Sequence, residues 1–127
     1  MPSEQFDIAA ARKALAVREE KRRTKNVELH SRATADAARI VDMVRLRFNP
    51  KRIYQWGSLL YPQNFTEYSD IDIAIEGITD AETFFKLLGD AMAMTEFKLD
   101  IIQLEKIERE FAESIRTKGR IVYERAC

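Results

Sequence analysis

The chain of 127 residues has little of what holds many small proteins together or sends them elsewhere. There is one cysteine, Cys127, so no internal disulfide can form, and a reduced, cytoplasmic setting is the expectation. No apolar run approaches membrane-spanning length, and the N-terminus shows no apolar signal segment, so no membrane association is expected. Net charge is also missing: 21 basic residues balance 21 acidic ones. A dedicated nucleic-acid binder carries a basic excess, so no direct nucleic-acid binding is expected. The one histidine, His30, stands far in sequence from the acids at positions 70, 72 and 100 and reads as a surface or helix-packing residue rather than a metal ligand. Nothing repeats, and nothing is of low complexity.

Proline and glycine are scarce too, and their placement divides the chain. Between Ser3 and Phe48 there is neither, in a stretch rich in Ala, Arg, Glu and Lys, and this predicts helix up to Pro50. Its second half keeps apolar residues at helical spacing (Ala33, Ala37, Ile40, Val41, Val44, Phe48) and should pack on a sheet. Its first half is sparser in apolar residues and contains the charged run Arg18–Arg23. Unbroken, such a helix would be about 65–70 Å long, more than the width of so small a domain. Either it breaks near Thr24–Asn26 or Ser31, or it projects and meets another chain. Residues 1–31 are therefore expected to form an N-terminal helical arm, available for homo-oligomer or partner contacts, and residues 32–127 the main domain.

Beyond Pro50, a strand is expected at Lys51–Trp56 and another at Asp70–Ile75. After a turn at Gly77, Thr79-Asp80-Ala81-Glu82 has the form of a capping box with Thr79 as N-cap. The helix it opens carries Phe84, Phe85, Leu87 and Leu88, with Gly89 as a weak point or an end. Phe97–Ile102 reads as a third strand and Leu104–Lys118 as a helix with Ile107, Phe111 and Ile115 on one stripe. Gly119 is expected at the C′ position and Arg120–Glu124 as a final strand. The fold class that follows is α+β (α/β two-layer), a small mixed sheet flanked by helices.

The chemistry is concentrated between Gly57 and Asp72. In Ser69-Asp70-Ile71-Asp72-Ile73-Ala74-Ile75 side chains alternate, so Asp70 and Asp72 share one strand face. Adjacent carboxylates repel unless a cation lies between them, and an oxygen-rich pair suits Mg²⁺ together with substrate phosphates. Gly57-Ser58 ends the preceding strand, where glycine lets backbone N–H groups approach a phosphate closely.

Gly57-Ser58, eleven residues, then Asp70-Ile71-Asp72 resembles the signature of the nucleotidyltransferase superfamily that includes DNA polymerase beta. The small size and the α-β-β-α-β-α-β order are similar to the minimal nucleotidyltransferases, typically the antitoxin halves of HEPN/MNT toxin–antitoxin pairs. The resemblance covers about Arg52 to Glu124 and implies a polymerase-beta-like fold. It implies Asp100 as the third acid, facing the pair. Two Mg²⁺ ions would be held by Asp70, Asp72 and Asp100, with Gly57 and Ser58 on the nucleotide and Asp100 taking the acceptor's proton. The implied activity is Mg-dependent transfer of an NMP, AMP from ATP foremost, to a hydroxyl of a partner protein of HEPN type. Two rival readings stand beside it: a dimeric small-molecule (antibiotic-type) nucleotidyltransferase, and an antitoxin acting by contact alone. The sequence departs from the family just after Ser58, where Leu59-Leu60-Tyr61-Pro62 carries no arginine. Arg52, Lys98, Lys118, Arg120 or a partner is the available substitute, and Tyr54, Trp56 and Tyr61 are read first as packing residues and second as surfaces for a base to stack on.

Overall fold

The structure is a computed structural model that describes residues 7–126. The expected helical residues Ser3 to Phe6, and Cys127, lie outside the described residues. Helix α1 runs unbroken from Ile8 to Arg47, 40 residues and about 60 Å. Asp7 caps it, its carboxylate accepting from the Ala10 N–H at 3.0 Å. No break occurs at Thr24–Asn26 or at Ser31. Each of those residues costs less than about 1 kcal/mol inside a helix, and ion pairs one turn apart (Arg22 to Glu19, Arg23 to Glu20, Arg39 to Asp36, Arg45 to Asp42) support the rod. Its buried residues all lie in the second half: Ala33, Ala37, Ile40 and Val44 form one stripe. The helix ends where Phe48 donates to the Val44 carbonyl and Asn49 turns to a φ of 48°, followed by Pro50.

Four strands form one mixed sheet in the order β3-β2-β1-β4. Strand β1 (Arg52–Trp56) is antiparallel to β2 (Ile71–Glu76) and to β4 (Arg120–Glu124), while β3 (Leu99–Gln103) runs parallel to β2. The central strand β2 is buried along Ile71–Ile75, on both faces. One face gives Ile53, Ile71, Ile73, Ile75 and Ile101 to a core with Ile40 and Val44 of α1 and with Phe84 and Leu87 of α2 (Ala81–Met92). The other gives Tyr54 and Ala74 to a smaller core with Leu104, and with Ala112 and Ile115 of α3 (Arg109–Lys118). Asp72 lies two residues from Ala74, so the alternation that buries three isoleucines under α1 and α2 turns its carboxylate to the α3 face.

Three local expectations are corrected. The N-cap of α2 is Asp80, not Thr79; its carboxylate accepts from the Thr83 N–H at 2.9 Å, leaving Glu82 in the first turn. The last helix begins at Arg109 rather than Leu104. Leu104–Lys106 forms a 3-10 turn whose Leu104 is buried at the sheet end, and Ile107 is extended. Gly119 caps α3 with φ −80° and ψ 178°, so it supplies closeness rather than left-handed backbone: a Cβ there would stand 2.6 Å from the Ile115 carbonyl and 3.0 Å from that of Gln55. Gly89 does not end α2, which continues to Met92.

Candidate active site

The site grows from the end of β1. Trp56 faces Asp72 across the antiparallel pair, and Gly57 follows with φ +80°. A Cβ on Gly57 would lie 2.1 Å from Asp72 Oδ2. Both its conformation and the pressed carboxylate therefore require glycine. Gly57–Leu60 closes as a 3-10 turn, with the Tyr61 N–H donating to the Ser58 carbonyl at 3.0 Å. The turn is pinned from behind. Leu59 is buried, its carbonyl lies 2.8 Å from His30 Nε2, and the His30 ring meets Phe65 edge-on at 5.5 Å. His30 thus fixes the Gly-Ser turn to α1 and stays away from the acids, in keeping with a packing role.

The second segment reaches the site through a self-bonded turn. Thr66 donates its N–H to Ser69 Oγ at 2.9 Å, and Ser69 returns its N–H to the Thr66 carbonyl at 3.1 Å. Asp70 follows immediately, just before β2 begins. Across the parallel pair, Asp72 is the register partner of Asp100. Asp72 is the one charged side chain buried among the described residues. Burial, then the charges of Asp100 and Asp70, push its carboxyl up to about 6, with Lys98 opposing. Lys98 Nζ stands 3.9 Å from Asp70 Oδ2.

The structure therefore brings all three predicted acids to one place, close enough for two to act on the third. Among the described residues, no three acidic, histidine or cysteine side chains already enclose a point as a finished metal cage. The donor set is nonetheless one of hard oxygens around a buried, mutually repelling centre, which a divalent cation would neutralise.

The four cations weighed for the phosphate side separate clearly. Arg52 is excluded as a substitute. It sits at the opposite end of β1, bound to Glu76 at 2.9 Å and to Glu124, and four residues of strand, about 13 Å, part it from Trp56. Arg120 faces Gln55 on the outer strand. Lys98 lies beside Asp70. Lys118 lines a pocket of about 250 Å³ with Trp56, Gly57, Tyr61, Phe111 and Ser114. Trp56 meets Phe111 edge-on at 5.4 Å, and its indole Nε1 is buried without a hydrogen-bond partner. Sequence reasoning put packing before base stacking for Trp56 and Tyr61 and gave Phe111 to the helix stripe alone; together they wall a cavity opening beside Gly57.

Residues 38–126 match the family model described as polymerase beta, nucleotidyltransferase. The chain belongs to this nucleotidyltransferase family. The nucleotidyltransferase is also similar to a chain of the toxin–antitoxin MntA–HepT crystal structure, with a TM-score of 0.55 and 18% identity over 72% of this chain and 73% of that one. A mutant form of that pair gives 0.57 and 20%, covering 70% of this chain and 73% of that one. At such identities the likeness establishes a shared fold. No curated protein matches the chain. The family match begins within α1, so the projecting half of that helix in this nucleotidyltransferase lies outside it.

Proposed function

We propose that this nucleotidyltransferase moves AMP from ATP onto a hydroxyl of a partner protein, a HEPN-type toxin, and so acts as its antitoxin. The observation that carries the reading is Asp72, buried in register with Asp100 and pressed against the glycine of a Gly-Ser turn. Asp70, Asp72 and Asp100 would hold Mg²⁺, which when bound neutralises the triphosphate and polarises the reacting phosphorus. Gly57 and Ser58 cradle the phosphates through backbone N–H groups and the hydroxyl, and Lys118 at the adjoining pocket supplies the cation that the sequence lacks after Ser58. Trp56, Tyr61 and Phe111 offer aromatic surface to the base. The acceptor oxygen attacks the α-phosphorus as its bond to the β-phosphate oxygen breaks; pyrophosphate leaves, and Asp100 takes the acceptor's proton. Positioning supplies much of the rate, and the domain of residues 32–127 has no separate lobe to grip a large acceptor. A docked protein presents its own hydroxyl, a tyrosine foremost. The toxin–antitoxin pair seen in the MntA–HepT structures supports a toxin as that partner.

The test is intact mass of a candidate HEPN partner after incubation with the protein, Mg²⁺ and each NTP. An added AMP, lost in the Asp70→Asn/Asp72→Asn and Asp100→Asn variants, is expected. The sequence Leu59-Leu60-Tyr61-Pro62, with no arginine after Ser58, favours one second reading, neutralisation by contact. No added nucleotide, with full neutralisation by Asp70→Asn/Asp72→Asn, would select it.

A further inference from the structure

The projecting half of α1 is not a uniformly solvated rod. Arg18, Lys21, Arg22 and Lys25 recur at intervals of three and four residues, so they share one helical face. That face looks onto the turn that leads into Asp70. The two enclose a groove of about 560 Å³, with Glu67 and Tyr68 on the far wall. Lys25 Nζ reaches Glu67 Oε2 at 3.4 Å and ties helix to turn, while Arg22 pairs with Glu19. Among the described residues neither Arg18 nor Lys21 has an ion-pair partner. Tyr68 is 86% exposed, two residues before Asp70. An exposed aromatic ring and two uncompensated cations therefore line a cleft whose far wall, Thr66–Tyr68, leads directly into Asp70.

We propose that this groove docks an acidic segment of the protein acceptor and delivers the neighbouring hydroxyl to Asp70 and Asp72. The inference rests on the protein-acceptor reading above. Charge complementarity chooses the occupant. Glu67 stands on the groove wall and Glu19, paired with Arg22, stands beside it, so acids interrupt the cations there. A phosphodiester backbone, charged at every step, would meet repulsion at each of those acids. A peptide places its carboxylates opposite Arg18 and Lys21 and a neutral residue opposite Glu67. The zero net charge of the whole chain gives no added attraction for a long polyanion. The occupied groove would also hold the turn of Thr66–Ser69, whose hydrogen bonds set the approach of Asp70, so docking and catalytic alignment share one segment.

The full chain is titrated by fluorescence anisotropy, without nucleotide, against three labelled probes. These are a Glu/Asp-rich peptide containing one tyrosine, the same peptide with its acids replaced by amides, and a mixed-sequence single-stranded RNA. The acidic peptide is expected to bind in a salt-sensitive way and the amide peptide not to bind. Reversing both charges, Arg18→Glu/Lys21→Glu, should weaken the acidic peptide about tenfold or more. Both residues are exposed, and unchanged helical circular dichroism will confirm folding; Arg18→Gln/Lys21→Gln serves as the milder second variant. The proposal is overturned if the acidic peptide fails to bind, or binds both variants as tightly as the parent. It is overturned equally by RNA binding that the variants abolish, which would make the groove a nucleic-acid site, or by a dimer that they dissociate, which would make the occupant a second copy. Groove binding without AMP transfer would sink the enzyme reading alone; AMP transfer to a partner unaffected by the variants would sink this one alone.

Discussion

Asp72 gives the fold one of its pH dependences. Its carboxyl titrates near 6 in the folded chain against an ordinary 3.8, because burial and then the charges of Asp100 and Asp70 penalise the anion. The folded state therefore holds its proton longer than the unfolded one, and the contribution of Asp72 to stability falls as pH climbs from about 3.8 to about 6. Asp72→Asn removes that penalty. It should stabilise the protein by about 1–3 kcal/mol near neutral pH, with the gain fading toward pH 4, read from melting curves at both pH values. Mg²⁺ should likewise raise the melting temperature more at neutral pH than at about pH 5, where the site is protonated. Equal melting of parent and variant at neutral pH would refute the burial-and-repulsion account. Gly57→Ala forces a Cβ against Asp72 Oδ2 and a positive φ onto alanine. It should cost about 1–3 kcal/mol in urea denaturation and abolish nucleotide-dependent stabilisation. The Gly57 turn and the pairing of Asp70 with Asp72 were legible because spacing and strand alternation are local, whereas Asp100 came from the family resemblance, its register with Asp72 joining strands far apart in the chain. The pocket role of Phe111 and Ser114 was not legible, since it depends on α3 crossing the end of β1, a contact between residues far apart in the chain.

At the scale of elements, α1 does two jobs with one rod. Ile40 is fully buried and Leu15 is 60% exposed. Ile40→Ala should cost about 2–5 kcal/mol, and Leu15→Ala should stay within about 0.5 kcal/mol, compared by urea midpoints. A large loss in Leu15→Ala would mean that the projecting half is packed after all. The helix–sheet alternation was readable because Gly and Pro are few and stand at boundaries. The continuity of α1 was not, because its only warnings were residues of modest helix propensity that ion pairs one turn away outweigh. The same limit explains Thr79: a neighbouring aspartate that can accept from the Thr83 N–H takes the cap. A tie between α3 and the sheet also escaped sequence reading. Arg52 and Arg116 both bind Glu76, at 2.9 and 3.3 Å. Burial pushes the Glu76 carboxyl up, but the hydrogen bond from Arg52 and the charge of Arg116 outweigh it and leave it below its ordinary 4.5. Its contribution is present above that value and is lost as pH falls through the lower folded one. Glu76→Gln should cost about 1–3 kcal/mol at neutral pH and much less in acid, measured by denaturation at the two pH values.

For the whole molecule, the sheet order places the paired acids on the two inner-to-edge strands β2 and β3, and the Gly-Ser turn on β1 beside them. All the buried residues of α1 lie from Ala33 onward, and the family match begins at residue 38. Removing residues 1–26 should therefore leave a cooperative melt, while reducing partner capture; loss of the melt would show that the arm belongs to the folding unit. The unbroken α1 also has a hydrodynamic consequence. The rod, with about 15 Å of it (Ile8–Val17) reaching beyond the groove on one side of a small body, gives it a long axis, so rotation about that axis and end-over-end rotation proceed at different rates. Amides along α1, whose N–H bonds lie near that axis, will relax differently from strand amides that cross it. A docked acceptor that fills the space beside the rod would make the particle rounder and draw the two classes together, giving spin relaxation a label-free readout of complex formation.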